Sequence, residues 1–187
     1  MSIPAYEKIK NVYLSRLLLN EIEHHCVRKL TGIFFDDETP EHQAYGLLGA
    51  TLENDSIYIE KIFPCKLNFR YDPSVLNHMN ELVETYAIAA DTPINQRGWV
   101  IQPEELLHAY NTFAALGLTV IGSYHMHHDG SWLGTMSKEY PSEFDAKLAE
   151  NSEMLMFIAS IKSKSLYSLK AFYNGLKEKE MRIISDD

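Results

Sequence analysis

Apolar residues recur with a helical period in four stretches of the chain. Leucines and other apolar residues at three-to-four-residue spacing predict an amphipathic helix over residues 12–30. Residues 72–91 open on Asp-Pro-Ser, and residues 102–117 carry proline in the first turn and glycine at the end. Both patterns predict helices. A shorter fourth helix is predicted to begin after Ser142, which suits a helix N-cap.

Other apolar segments have the length and bounds of strands. Residues 45–52 and 56–63 flank the turn signal Glu-Asn-Asp and predict a hairpin. Residues 118–124 are almost continuously apolar, which is typical of a strand buried on both faces. A second hairpin is predicted over residues 153–175, and the charged last residues are expected to fray or to pack as a short terminal element.

This order of elements predicts an α/β fold in which a mixed β-sheet is flanked by helices. The 187 residues are enough for one core and slightly short for two, so we expect a single domain over residues 1–187, with its core at about 13–175. A hydrophobic fraction of 45% with 23% charged residues excludes a disordered or fibrous chain.

The net charge of −9 narrows the choice of partners. Phosphate binding needs clustered Lys and Arg, so we expect no nucleic acid and no membrane partner, and a basic protein or peptide surface suits the chain better. The N-terminal apolar run is interrupted by Arg16 and Glu21 too soon for a signal segment or a membrane span. With Cys26 and Cys65 expected as buried free thiols, a cytoplasmic setting is predicted.

The candidate chemistry lies in "TVIGSYHMHHDGSWLGTMSKEYPSEFD", residues 119–145. Side chains at i and i+2 of a strand point the same way, so His125 and His127 converge while His128 points elsewhere. A His-x-His pair alone also arises by chance. A buried strand before it and a Ser-x-x-Asp helix start after it favour a zinc site with Asp145 as third ligand. Three protein ligands leave a position for water, which is typical of catalytic zinc.

Three separated pieces of the chain resemble the JAMM motif of the JAB/MPN metalloprotease family. "GLTVIGSYHMH" followed by "PSEFD" is similar to its His-x-His-Pro and Ser-x-x-Asp, and "YGLLGA" is similar to its Gly-Leu-x-x-Gly strand. The resemblance implies the JAB/MPN architecture, which is cytidine-deaminase-like, and zinc bound by His125, His127 and Asp145. It also implies that Ser142 helps to stabilise the oxyanion of the reaction.

The chain departs from the family pattern at three places. His128 replaces the usual proline, and seventeen residues separate His127 from Asp145, more than is typical. The additional residues predict an insertion loop at about 129–140, either a lid, a substrate contact or a passive insertion. The third departure is Gln43, which stands where the family has its general-base glutamate. Glutamine has the same shape but cannot accept the proton.

Other carboxylates could stand in for the missing base. Glu41 lies on the same side of an extended segment but about 6.6 Å further out, at about 3.3 Å per residue. Candidates near the insertion are Asp129, Glu139 and Glu143. Gln43 itself has two explanations: a Glu→Gln substitution introduced to silence an active enzyme, which the intact ligand set favours, or a natural loss of the base.

The resemblance therefore predicts a zinc-dependent isopeptidase or peptidase. Members of the family commonly cut after the C-terminus of ubiquitin or a ubiquitin-like protein, and a homodimer or a partner protein is compatible with this activity. With Gln43 the chain is expected to bind zinc and to turn over little. The rival hypothesis is a non-catalytic MPN-like module that binds or scaffolds ubiquitin-like proteins, and a third keeps the metal with another small peptide or amide as substrate.

Overall fold

The computed structural model describes residues 8–87, 93, 97–128 and 139–185. In these residues the strands are β1 (Asn11–Leu14), β2 (Tyr45–Glu53), β3 (Ser56–Pro64), β4 (Thr119–His128), β5 (Leu155–Lys162), β6 (Ser165–Tyr173) and β7 (Glu180–Ile184). The α-helices are α1 (Arg16–Leu30), α2 (Pro73–Tyr86), α3 (Pro103–Ala115) and α4 (Glu143–Leu148). Short 3₁₀ helices lie at Phe69–Tyr71 and Lys177–Lys179.

The strands form one closed barrel in the order β1-β3-β2-β4-β5-β6-β7. Closure depends on β1, which pairs in parallel with β3 on one side and with β7 on the other. The remaining neighbours are antiparallel except for the parallel pair β4 and β5. The predicted fold class, a mixed sheet flanked by helices in the JAB/MPN, cytidine-deaminase-like architecture, is therefore wrong.

The error has a local cause, because the two strands that close the barrel are short and carry weak sequence signals. The helix predicted over residues 12–30 includes most of β1, whereas α1 begins only after Ser15, whose hydroxyl accepts a hydrogen bond from Leu18 N at 3.3 Å. β7 lies in the charged C-terminal stretch and buries only Met181 fully. Periodicity reports local structure, and it carries no information on these pairings between distant segments.

The other predicted elements are confirmed, with ends shifted by a few residues. Both hairpins form, α2 begins directly after Asp72, and α3 begins at Pro103. Ser142 caps α4, as its position before the helix predicts. β4 continues to His128, so the strand carries all three histidines of the cluster.

The barrel interior is filled by side chains from the strands and from α1. Leu18, Ile22 and Cys26 of α1 belong to the same buried cluster as the inward-facing residues of the strands, among them Tyr124. Cys26 and Cys65 are both free and buried, as predicted. Among the residues that the structure describes, no helix is long and apolar enough to span a membrane.

The alternation of side chains along β4 determines which residues reach the outer face of the barrel. Tyr124 and Met126 belong to the interior cluster, so His125 and His127 project outward. Helix α4 covers this face, and its end packs with outward residues of β5 and β6 in a second cluster: Ala149, Met156, Ile158 and Phe172. The histidines therefore lie between the barrel wall and α4.

Candidate metal centre

Side chains from β4 and α4 meet between the barrel wall and the helix. His125 Nε2 lies 3.4 Å from one carboxylate oxygen of Asp145, and His127 Nε2 lies 3.4 Å from the other. The two Nε2 atoms are 2.9 Å apart. One ligand atom from each of the three residues lies within 4.8 Å of the others, so the structure brings the three predicted ligands together.

The donor set fits zinc in kind and in spacing. Two imidazole nitrogens and a carboxylate oxygen are ligands that zinc prefers, with bonds of about 2.0–2.2 Å. Tetrahedral geometry then places neighbouring ligand atoms about 3.3–3.5 Å apart. Each histidine nitrogen lies at such a distance, 3.4 Å, from one oxygen of Asp145, His125 from Oδ1 and His127 from Oδ2, while the Nε2 pair at 2.9 Å is about 0.4 Å closer. A small rotation of either ring corrects that difference.

Asp145 is held in place by the start of its own helix. Its Oδ2 accepts hydrogen bonds from Ser142 N and from the Ser142 hydroxyl, both at 2.7 Å, and Asp145 N donates to Ser142 Oγ at 3.2 Å. Burial disfavours the charged carboxylate, yet the electrostatic interaction with His125 and hydrogen bonds to both histidines outweigh it and hold the pKa of Asp145 well below its usual range. The carboxylate is therefore charged and fixed at neutral pH.

Gln43 lies beside the centre, on the β2 side of β4. β2 and β4 pair Tyr45 with His125, and Met126 N donates to Ala44 O just before β2 begins. Continued by one more pair, this antiparallel register sets Gln43 opposite His127. Gln43 and the three ligand residues line the same cavity.

The described carboxylates that could replace the missing general base do not line the cavity. Glu41 is held elsewhere, since its two oxygens accept from Tyr71 Oη at 2.5 Å and Asn68 Nδ2 at 2.8 Å. Glu143 is exposed on the first turn of α4, and neither it nor Glu139 lines the cavity. Asp129 lies outside the described residues. Within the described part of the chain, no carboxylate other than Asp145 lines the cavity.

The cavity has a volume of about 350 Å³ and joins the centre to apolar surroundings. On the β2 side it is bounded by Trp99, whose indole stacks on Tyr45 with ring centroids 6.0 Å apart. On the β5 side it is bounded by Leu148, Ala149 and Met156, whereas Phe144 packs beside Gly98 and Met154 packs against the cluster that holds Tyr45 and Trp99. His128 also lines the cavity although it is not part of the ligand cluster.

Sequence reasoning did not find these apolar cavity residues. Leu148 could have been found, because it follows Asp145 by three positions on a predicted helix and shares its face. Trp99 gave no signal, since it lies in a segment without regular structure that reaches the centre only through folding. Of the insertion predicted at about 129–140, residues 129–138 lie outside the described residues. Tyr140, at its end, accepts a hydrogen bond from Lys170 Nζ at 3.0 Å.

Comparisons with known proteins identify similar folds. No family model matches the chain, and no curated protein matches it. A solution structure of a protein from Desulfitobacterium hafniense is similar over 94% of this chain and 93% of that one, with 19% identity and a TM-score of 0.59. A protein from Salinibacter ruber is similar over 96% and 92%, with 18% identity and a TM-score of 0.52. Both come from structural genomics, and at this identity they inform on the fold alone.

Proposed function

We propose that the chain is a zinc-dependent hydrolase of amide bonds, a JAMM-type isopeptidase or peptidase. The observation that carries the proposal is the convergence of His125, His127 and Asp145 on the wall of a cavity. Three protein ligands beside open space are typical of catalytic zinc, whereas structural zinc sites are closed by four protein ligands. The order of motifs along the sequence supports the same reaction class.

The protein residues around the metal have separate tasks. Zinc in such a site lowers the pKa of a water molecule and polarises the carbonyl of the substrate. His125, His127 and Asp145 hold the ion. Ser142 orients Asp145, because its hydroxyl donates to the carboxylate. The oxyanion role that the resemblance implies for Ser142 needs this hydroxyl to turn away from Asp145 toward the substrate.

Gln43 limits the activity of the chain as it stands. Its position on the cavity wall that it shares with the three ligand residues is where a proton acceptor could serve both the attacking water and the leaving amine. An amide side chain keeps the shape of this wall but accepts no proton at neutral pH. The chain is therefore a zinc-binding protein with little turnover, and a glutamate at position 43 supplies the missing step.

The test is the variant Gln43→Glu, with a ubiquitin-like protein fused through its C-terminus, or linked to lysine, as the first substrate. A general base contributes about 10²- to 10⁴-fold, so cleavage should rise by about that factor over the unchanged chain. The control is Gln43→Glu combined with His127→Ala, which must be inactive. If Gln43→Glu binds zinc and cuts neither this substrate nor a set of short peptides, the hydrolase proposal is wrong.

A second candidate function is a non-catalytic module that binds a ubiquitin-like protein. Gln43 favours it, because a protein that only binds has no use for a general base. Calorimetry with the ubiquitin-like protein separates the two functions: the module binds its partner without zinc and gains no activity in Gln43→Glu. Binding that needs zinc, together with restored cleavage, rejects the module.

We further propose that the protein works in the cytoplasm. Cys26 and Cys65 are buried as free thiols, and burial raises the pKa of both, so the reactive thiolate is disfavoured. Such thiols are usual in a reducing compartment. Cell fractionation of a tagged chain tests this, and recovery in a secreted or membrane fraction would contradict it.

A further inference from the structure

Different side chains line the two sides of the cavity, because β4 lies between β2 on one side and β5 on the other. β4 lies between β2 and β5 and carries His125 and His127 in the middle of the site. The β2 side presents Gln43, the position of the proton acceptor. The β5 side presents methionine, leucine and alanine side chains from α4 and from the entry to β5. A substrate that crosses the centre therefore meets Gln43 and the aromatic pair of Tyr45 and Trp99 on one side, and an aliphatic wall on the other.

We call the aliphatic wall the β5-side wall and define it by Leu148, Ala149 and Met156. Ala149 and Met156 are buried, so they form a fixed floor, and Leu148 is 40% exposed at the rim. Leu148 lies three residues after Asp145, and this spacing places both on one face of α4. Methionine side chains adapt to apolar groups of different shape. The wall is thus an apolar surface directly beside a metal ligand.

The reaction fixes which part of the substrate meets this wall. A proton acceptor at position 43 must deliver its proton to the leaving amine, so the amine side of the scissile bond lies toward β2. The carbonyl side then lies toward β5 and α4. Because the cavity of about 350 Å³ is at the lower end of the roughly 300–1,000 Å³ found for small-ligand pockets, it has room for one or two residues.

We propose that the β5-side wall is a subsite for a large apolar side chain on the carbonyl side of the scissile amide. The substrates are then peptides or proteins with leucine, methionine or an aromatic residue at that position, in place of the glycine of a ubiquitin-like tail. This inference rests on the proposed function, since it needs zinc to set the position of the carbonyl. It assigns Leu148 as a specificity residue that contacts substrate.

The test compares two zinc-chelating probes that differ only in one side chain. N-acetyl-leucine hydroxamate and N-acetylglycine hydroxamate are titrated calorimetrically into the zinc-loaded protein, whose Gln43 limits turnover. Since both share the metal-binding group, the ratio of their dissociation constants measures the side-chain contribution. Burial of a leucine side chain predicts that the leucine probe binds about tenfold tighter or more.

The variant Leu148→Ser tests whether this residue causes the preference for the leucine probe over the glycine probe, and Leu107→Ser is its matched control. Leu107 is 62% exposed on α3 and does not line the cavity. We expect Leu148→Ser to reduce the leucine-to-glycine ratio by about threefold, as partial loss of the apolar contact requires, and Leu107→Ser to leave it unchanged. Zinc stoichiometry and circular dichroism confirm that both variants are folded.

The outcomes separate this inference from the function on which it rests. Zinc binding with equal affinity for the two probes, or tighter binding of the glycine probe, overturns the apolar subsite and leaves the hydrolase proposal standing. A leucine preference that Leu148→Ser does not reduce assigns the preference to another surface and also overturns the subsite. Absence of stoichiometric zinc overturns the proposed function and the inference with it.

Discussion

The hydrogen bonds of Ser142 offer a sharp test of how the candidate metal ligand is positioned. In Ser142→Ala, the chain loses the helix cap from Asp145 N to Ser142 Oγ and the hydroxyl bond from Ser142 to the buried carboxylate. Ser15→Ala is the matched control. Ser15 also caps a helix, through Leu18 N at 3.3 Å, but it is exposed and its cap involves no carboxylate.

The two substitutions should differ in their cost to stability. Loss of a Ser N-cap costs about 1 kcal/mol, and this is the expected cost of Ser15→Ala. A hydrogen bond to a charged group contributes about 1.5–3 kcal/mol, so Ser142→Ala should cost about 2.5–4 kcal/mol in total. Since small domains are stable by about 5–15 kcal/mol, both variants should remain folded.

Urea unfolding of the metal-free proteins at pH 7, followed by circular dichroism, measures these costs. We expect Ser142→Ala to lower the free energy of unfolding by at least 1 kcal/mol more than Ser15→Ala, and Ser142→Thr to recover most of the loss. If the two alanine variants are equally stable, the hydroxyl does not hold Asp145, and the proposed positioning role of Ser142 is refuted.

Three further predictions concern the barrel and its buried polar groups. Burial, aided by nearby Arg28, lowers the pKa of His25 from 6.5 to about 3. Between pH 7 and pH 5 the unfolded chain therefore binds a proton at this residue that the folded chain does not bind. Acidification over this range should lower the free energy of unfolding, measured in urea, by about 2 kcal/mol. His25→Gln should remove most of this dependence. Gly46→Ala places a methyl group in the ring of buried Tyr124 and should cost at least about 1–3 kcal/mol; a neutral effect would contradict the packing. Glu38→Ala leaves the cation of Arg28 without its buried carboxylate partner and should cost about 3 kcal/mol by the same assay, and a cost below 1 kcal/mol would refute this.

The elements that the sequence predicts correctly are those with a strong local signal. The hairpin from Tyr45 to Pro64 is marked by its turn, and α3 is marked by Pro103 at its start. Barrel closure has no such mark. It depends on the pairing of Asn11–Leu14 with β3 and β7, which lie more than forty positions away in the sequence. These strands pair only when the sheet closes around α1.

The residues of the candidate site also fall into those that local sequence signals predict and those that they do not predict. Two-residue alternation brings His125 and His127 to one face, and a helix start brings Asp145 within reach, so local rules place the ligands. The position of Gln43 follows from strand pairing, which the resemblance supplied and periodicity could not. Trp99 joins the cavity through a segment without regular structure, and no local rule predicts such a contact.

The proposed function depends on zinc binding by His125, His127 and Asp145. Metal analysis after zinc loading and exhaustive dialysis, combined with calorimetric titration of the metal-free protein, tests it most directly. We expect one tightly bound zinc ion per chain, with binding lost in His125→Ala and in Asp145→Asn and retained in Gln43→Glu. A chain that holds no stoichiometric zinc, or that holds it equally well in the ligand variants, would show that these three residues do not form a zinc site.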